Sequence, residues 1–348
     1  LKRFLIIITV FALFVSGTLT FHSFYLFLYP PPVAQPEARI VRIQSGMGLR
    51  PIARVLEAEG VIQDPAKFML LAWWKGVGKK IQWGDFEIHT GVPPLTVLDY
   101  LTSGKTLLKR VTIPEGFTLK QIAERLAHED LTDAEDFLSS ARDQVWLTEL
   151  DLPGNSLEGF LFPDTYIFHR GMPVRAMQKR MVSRFREVYQ RVRSNGAAAA
   201  PQSLNLNQTV ILASIVEKET GQASERPLIA SVFYNRLRQG MPLQSDPTVI
   251  YGLNDFKGDL TKKDLQRPTP YNTYVIPGLP PGPIANPGEE ALRAVLCPTK
   301  TDYLYFVSKN DGSHYFSRNI QEHNRAVVRY QLSGQFDSTA QRRILRIK

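Results

Sequence analysis

Glu217 stands where a carboxyl is costly. It closes the apolar run Val210-Ile-Leu-Ala-Ser-Ile-Val216, within Ile211-Leu-Ala-Ser-Ile-Val-Glu217-Lys-Glu-Thr220. Burying a carboxylate costs several kcal/mol unless it is paired or protonated. A carboxyl kept neutral near pH 7 is the reagent that general-acid chemistry needs. Glu219 follows two residues later, about 200° round a helix, so the two carboxyls face opposite sides. One of them is expected at a cleft and the other against solvent or a structural partner. Apolar neighbours, repulsion from Glu219 and the partial negative charge of a helix carboxyl end all favour a protonated Glu217. The structural alternative is an ion pair between Glu217 and Arg226 or Arg236 that ties two helices together.

Three polar loops follow this acid: Gln244-Ser245-Asp246-Pro247-Thr248, Pro270-Tyr271-Asn272-Thr273-Tyr274, and Gly278-Leu-Pro-Pro-Gly282-Pro-Ile-Ala-Asn286. Aromatic rings stack on the apolar faces of sugars, and amides match their hydroxyls, so three such loops beside an acid suit a glycan groove. Other chemistries fit less well. The six histidines (His22, His89, His128, His169, His314 and His323) lack zinc-ligand spacing, so no metal is expected. Neither a Gly-Lys-Ser/Thr phosphate loop nor a Gly-x-Ser-x-Gly elbow is present, so no nucleotide or other cofactor is expected. Cys297 is the single cysteine, which excludes a disulfide framework; beside Pro298, with no neighbouring base, it reads as packing. A net charge of +9 suits an anionic partner, either lipid or an acidic wall polymer, and nucleic acid is not expected outside a membrane.

The elements that must hold these residues are legible in outline. A buried helix capped by Asn207 runs to Glu219 and stops at Thr220-Gly221. A second helix spans 224–238, and a third, capped by Asn286 with Glu289, ends at Leu296. Strands at 303–308 and 314–317 flank the hairpin signal Asn310-Asp311-Gly312, and a last helix covers 320–332. Upstream, 132–150 is helical, Glu158-Gly-Phe-Leu-Phe-Pro-Asp164-Thr-Tyr166 is a loop, and 174–193 is a basic amphipathic helix broken by the insertion 194–201.

The amino-terminal stretch from Phe4 to Tyr29 contains no charged residue and exceeds the roughly 20 residues needed to cross a bilayer. Its apolar run continues past the small-residue cluster Ser16-Gly17-Thr18, which favours an uncleaved anchor over a signal peptide. Lys2 and Arg3 before it predict an N-in, C-out orientation. Residues 30–38 read as a Pro-rich stalk. Two copies of one pattern follow. Val41-Arg-Ile-Gln-Ser-Gly46-Met-Gly-Leu49-Arg-Pro-Ile52-Ala53-Arg-Val-Leu56 aligns with Val111-Thr-Ile-Pro-Glu-Gly116-Phe-Thr-Leu119-Lys-Gln-Ile122-Ala123-Glu-Arg-Leu126, each a strand, a glycine turn and a helix. The unit resembles the LysM-type module, which would imply glycan recognition; the alternative is a plain structural unit. A strand at 83–88 and a helix from Pro94 ending near Gly104 lie between the copies. The expected fold is α+β: an anchor at 1–29, a LysM-like domain at 39–130, a larger catalytic domain at 131–335 and a basic tail at 336–348.

In combination the anchor, the repeat, Glu158–Tyr166, Ala213-Ser-Ile-Val-Glu-Lys-Glu219, Ser231-Val-Phe-Tyr-Asn-Arg-Leu237, Leu243-Gln-Ser-Asp-Pro-Thr-Val-Ile-Tyr-Gly252 and Tyr271-Asn-Thr-Tyr274 resemble the YceG-like family. That resemblance implies endolytic cleavage of the MurNAc–GlcNAc β-1,4 bond in nascent peptidoglycan, at a bacterial inner membrane with the catalytic domain periplasmic. It also implies peptidoglycan synthases as partners, and maps the catalytic glutamate to Glu217. Glu219, Gln244, Ser245, Asp246, Asp164, Tyr271, Asn272 and Tyr274 are the candidate substrate contacts. A lytic transglycosylase needs one carboxyl because the substrate's own 6-hydroxyl attacks, whereas Asp246 or Asp164 as a second carboxyl would support a muramidase that uses water. A non-catalytic wall-binding scaffold is the third reading. The sequence therefore predicts that Glu217→Gln abolishes cleavage and spares the fold, with anhydro ends, reducing ends or intact glycan separating the three readings by product mass.

Overall fold

The computed structural model describes residues 2–44, 46–104, 106–196, 204–253, 255–256 and 258–332. The expected basic tail and most of the 194–201 insertion lie outside them. The chain divides into two compact units. One comprises Leu1–Arg110, Glu129–Thr132 and Ile167–Pro173; the other comprises Val111–His128, Asp133–Tyr166 and Val174–Lys348. Residues Val111–His128, expected within the amino-terminal domain, thus group with the second unit. The two copies of the repeat do not share a core.

The first unit opens with α1 (Lys2–Leu28), whose stretch Ile6–Leu28 is long and apolar enough to span a membrane. Strand β1 (Ala38–Ile43) pairs antiparallel with β2 (Gly84–His89), in the register Ala38↔His89 to Ile43↔Gly84. Val41 and Ile43 point inward while Ile40 and Arg42 point out, the two-residue alternation of a half-buried sheet. Between them lie α2 (Leu49–Ala58) and α3 (Pro65–Trp74), and α4 (Pro94–Ser103) follows. Helix α3, which no sequence pattern above anticipates, starts on Asp64, whose carboxylate accepts from the Lys67 N–H. Ile52, Leu56, Phe68, Leu71, Phe86, Ile88, Val97 and Leu101 form the core, and Phe27 of α1 joins it. The segment 30–37 is not a free stalk: Glu37 and Thr90 exchange two hydrogen bonds, and Val33 packs where a Cβ on Gly91 would stand.

Strand β3 (Leu108–Thr112) pairs with β4 (Thr165–His169). Tyr166 therefore ends a loop and enters a strand that the aromatic, acidic motif had concealed. Helices α5 (Leu119–His128), α6 (Ala134–Ser140) and α7 (Gln144–Glu149) precede α8 (Val174–Gly196), which continues to Gly196 without breaking at Ser194. The centre of the second unit is α9 (Leu206–Glu219), packed with α10 (Arg226–Arg238) and α13 (Glu289–Leu296). Thr209 through Val216 of α9 are all buried. Its cap is Asn205, reciprocated by Gln208, two residues earlier than Asn207. Short helices α11 (Asp246–Gly252) and α12 (Lys262–Leu265) occupy what read as loop. The hairpin β5 (Tyr305–Ser308) and β6 (His314–Ser317) leads to α14 (Ile320–Val327) and a π-helical turn at Val328–Leu332.

Asn286 does not cap α13, whose cap is Gly288. Its side chain instead donates to the Phe117 carbonyl and to Glu158 Oε1, and accepts from the Leu161 N–H. Gly159 beside this knot has φ +85°, and a Cβ there would lie 2.6 Å from Pro283 and 2.7 Å from Val210. Gly159→Ala combines left-handed strain of ~1–2 kcal/mol with overpacking of ~1–3 kcal/mol. It should lower the denaturant midpoint by more than about 2 kcal/mol equivalent, with the slope of the transition unchanged.

Candidate functional site

Three buried carboxyls in the second unit have protonation favoured by burial, and their partners sort them. Glu158 is pushed up to about 7, chiefly by desolvation. Its oxygens receive the Leu119 N–H at 2.9 and 3.0 Å, Asn286 Nδ2 at 3.0 Å and Tyr251 Oη at 3.0 Å. Enclosed by donors from three segments, it is a structural knot.

Glu217 forms the ion pair with Arg226 that its sequence allowed. Its Oε1 accepts from Arg226 at 2.8 Å and its Oε2 from the Gly288 N–H at 3.0 Å, at the amino end of α13. Both side chains of the pair are more than nine-tenths buried. Burial pushes the carboxyl up, while the Gly288 N–H and the Arg226 guanidinium pull it down. Glu115 adds a second carboxylate 3.6 Å from Arg226. This cluster pins the end of α9 to α10 and α13.

Glu219, on the opposite side of α9, lines a cavity of about 460 Å³. Ser245 Oγ donates to its Oε1, the one hydrogen-bond partner of this carboxyl among the described residues. Its pKa is raised to about 7, by desolvation first and by the nearby Asp246 charge second, with Ser245 opposing. It is also the last residue of α9, where unpaired carbonyls disfavour a further negative charge. A proton held there at neutral pH, next to open space, is the requirement for a general acid.

Arg236, Gln244, Asp246 and Tyr274 line the same cavity, together with Tyr305, Ser308, His314, His323 and Gln331. Tyr274 Oη donates to Asp246 Oδ1 at 2.7 Å. Gln244 holds φ +52°, a conformation rare for a side chain of its kind; its N–H is bound to the Thr273 carbonyl and its Oε1 to Arg236 at 2.6 Å. The Arg236 guanidinium also donates to the Leu243 carbonyl and lies over the Tyr305 ring at 5.3 Å. It makes no ion pair among the described residues, and burial lowers its pKa. His314 is fixed by Glu225, at 2.6 Å from Nδ1. His323 stacks on Tyr305, its Nδ1 is buried without a hydrogen bond, and burial and Arg236 hold its pKa down.

Of the expected contacts, Gln244, Asp246, Tyr274 and Glu219 meet in this cavity, and Ser245 meets them through Glu219. Three do not. Asp164 is taken up by Arg184 Nε at 2.7 Å and by the Thr165 N–H. Asn272 is fully buried; its amide donates to the carbonyls of Leu265 and Arg267, and its oxygen accepts from the Tyr274 N–H. It shapes the Tyr274 loop instead of reading a ligand. Tyr271 packs on Tyr251 with ring centroids 4.8 Å apart, near Gly282, away from the cavity lining. The contribution of β5, β6 and α14 was missed, because their spacing carries no motif. The one available signal was the pair His314 and His323 within an aromatic stretch. No cluster of metal-ligating side chains occurs among the described residues.

Fold and site together define an α+β protein in which a buried carboxyl, Glu219, lines a polar, aromatic cavity. The profile of the YceG-like family matches residues 41–329, and the chain belongs to that family. It is similar to an endolytic murein transglycosylase of Bacillus subtilis (strain 168), 33% identical over 305 residues, covering 83% of this chain and 84% of the relative. A protein of the same description from Streptococcus pneumoniae serotype 2 (strain D39) is 30% identical over 327 residues, covering 83% of this chain and 58% of that longer relative. The crystal structure of a YceG-like protein from Listeria monocytogenes superposes with a TM-score of 0.56 at 32% identity, over 84% of this chain and all of that one.

The raised Glu219 pKa has a thermodynamic signature. The folded state holds this proton up to about pH 7 and the unfolded state releases it near 4.5, so stability is greatest below 4.5 and falls between 4.5 and 7. Glu219→Gln should remove that loss. The variant should gain of order 3 kcal/mol on the parent between pH 4.5 and pH 8 in urea denaturation followed across pH.

Proposed function

We propose that this chain is an endolytic lytic transglycosylase of peptidoglycan, with Glu219 as its single acid and base. The observation that carries the assignment is a carboxyl whose pKa of about 7 keeps a substantial protonated fraction at neutral pH and which lines a cavity, while Glu217 is bound by Arg226 and Gly288. The Glu219 proton passes to the oxygen of the MurNAc–GlcNAc bond as that bond breaks. The 6-hydroxyl of the same muramyl residue attacks C1, and the Glu219 carboxylate takes the hydroxyl proton. A 1,6-anhydro end forms, no water is consumed and the acid is regenerated. Ser245 orients the carboxyl, and Gln244, Asp246 and Tyr274 supply the amide, carboxylate and phenol that would hold sugar hydroxyls.

In the same reading α1 anchors the chain with Lys2 and Arg3 inside and both units outside, in the periplasm, which the apolar stretch Ile6–Leu28 supports. The strand–turn–helix of β1 and α2 supports a LysM-like element, and the second unit, which holds most of residues 131–335, supports a separate catalytic domain. Peptidoglycan synthases, which make the nascent strands, are the partners this role calls for.

Digesting uncrosslinked glycan strands and weighing the products tests the assignment. The parent should release anhydro-MurNAc ends, and its kcat/KM should fall about tenfold per pH unit above about 7, as the Glu219 proton is lost. Glu219→Gln should reduce the rate by roughly 10²–10⁴. Glu217→Gln should chiefly lose stability, by about 3 kcal/mol, because Arg226 is left buried beside a neutral amide. A folded Glu217→Gln protein without activity, alongside an active Glu219→Gln protein, would return the acid to Glu217. Reducing ends would assign the attack to water, with Asp246 as the second carboxyl.

A further inference from the structure

We propose that α3 is a membrane-surface element: Leu70, Trp73 and Trp74 insert into the bilayer leaflet beside the first unit, and Lys75, Lys79 and Lys80 bind anionic lipid headgroups. The proposal rests on α1 spanning the membrane and is independent of the chemistry at Glu219. Leu70, Trp73 and Trp74 are 52%, 74% and 71% exposed, a concentration of apolar surface that a water-soluble face does not need. They share one stripe of α3 with Lys67, at spacings of three, six and seven residues, while Phe68, Leu71 and Ala72 face the core.

The stripe begins at the spanning helix. Lys67 Nζ donates to Ser23 Oγ at 2.8 Å and lies 6.0 Å from the Phe27 ring, both on α1. At 1.5 Å per residue Ser23 stands about 25 Å beyond Ile6, close to the far edge of a ~30 Å hydrocarbon layer. The ammonium that touches it therefore sits at the lipid–water boundary. A helix leaving that point with two exposed indoles on the same face matches the depth at which tryptophan concentrates. The charge that follows fits the headgroup layer. The Lys75 ammonium lies over the Trp74 ring at 5.4 Å, and Lys79 and Lys80 are exposed. None of the three forms an ion pair among the described residues. Seated this way, the first unit is held against the lipid by two elements, α1 and α3.

The full chain, reconstituted in vesicles, gives a direct test. Two of its four tryptophans are in α3 and none is in α1, so quenching by lipids brominated on their acyl chains reports on α3. In vesicles containing brominated phosphatidylglycerol, up to about half of the emission should be quenched. The bromolipid-dependent loss should fall to near zero in Trp73→Phe/Trp74→Phe, a change of exposed side chains that keeps their bulk. Brominated phosphatidylcholine alone should quench less. An undiminished loss in the double variant, or no loss in a chain that floats with the vesicles, overturns the proposal. Equal loss in both lipids overturns the role of the lysines. Protection of the two indoles from acrylamide by soluble glycan strands, with no effect of bromolipid, would assign the face to glycan instead. A chain that does not float would overturn both the anchor and this element, with cleavage by Glu219 still open to measurement.

Discussion

Everything at the site depends on how α9 is rotated, and the ion pair of Glu217 with Arg226 fixes that rotation. Both partners are enclosed, so a turn of the helix that separated them would strand two buried charges. The Gly288 N–H adds a second tether from α13. With Glu217 held, a residue two positions on must point to the other side, and that residue is Glu219. The carboxyl that looked most anomalous in the sequence thus acts as the pin, and the one behind it is delivered to the cavity.

The three carboxyls of the second unit whose pKa burial raises show why burial by itself does not identify an acid. Glu158 and Glu219 both rise to about 7, and Glu217 rises as well. What separates them is the neighbourhood of the oxygens. Glu158 receives donors from three segments, Glu217 a guanidinium and a backbone N–H, and Glu219 one hydroxyl. Of the three, Glu219 lines the cavity of about 460 Å³. Strain is placed beside it too, at Gln244, whose left-handed backbone turns its amide towards Arg236 and the cavity wall.

Much of the fold was legible in the chain. The uninterrupted apolar run Val210–Val216 required a buried helix, Asn310-Asp311-Gly312 a hairpin, and Gly104 a helix end; all three are present. The caps were less legible, because a polar side chain near a helix start has several backbone groups within reach. Asn205 took the role given to Asn207, and Asn286 was drawn into the Glu158 knot by donors and acceptors more than a hundred residues away. Asn272, Tyr271 and Asp164 were plausible sugar contacts by type; each is instead spent on backbone, ring or guanidinium partners that no local pattern announces. Helix α3 escaped notice because its exposed tryptophans and leucine blur the polar face by which an amphipathic helix is recognised.

By itself, then, the sequence determined the long apolar amino-terminal stretch, the α+β composition, the absence of a disulfide framework, and a pair of glutamates on opposite sides of one buried helix, since these follow from local hydropathy, residue count and helical period. It also held the motifs of the YceG-like family. Which glutamate meets the cavity was decided only by tertiary structure. The answer rests on Arg226, Gly288, Ser245 and the β5–β6 hairpin converging on the end of α9 from distant parts of the chain. A carboxyl's proton affinity is set by what surrounds its oxygens, and for these residues the surroundings are long-range contacts.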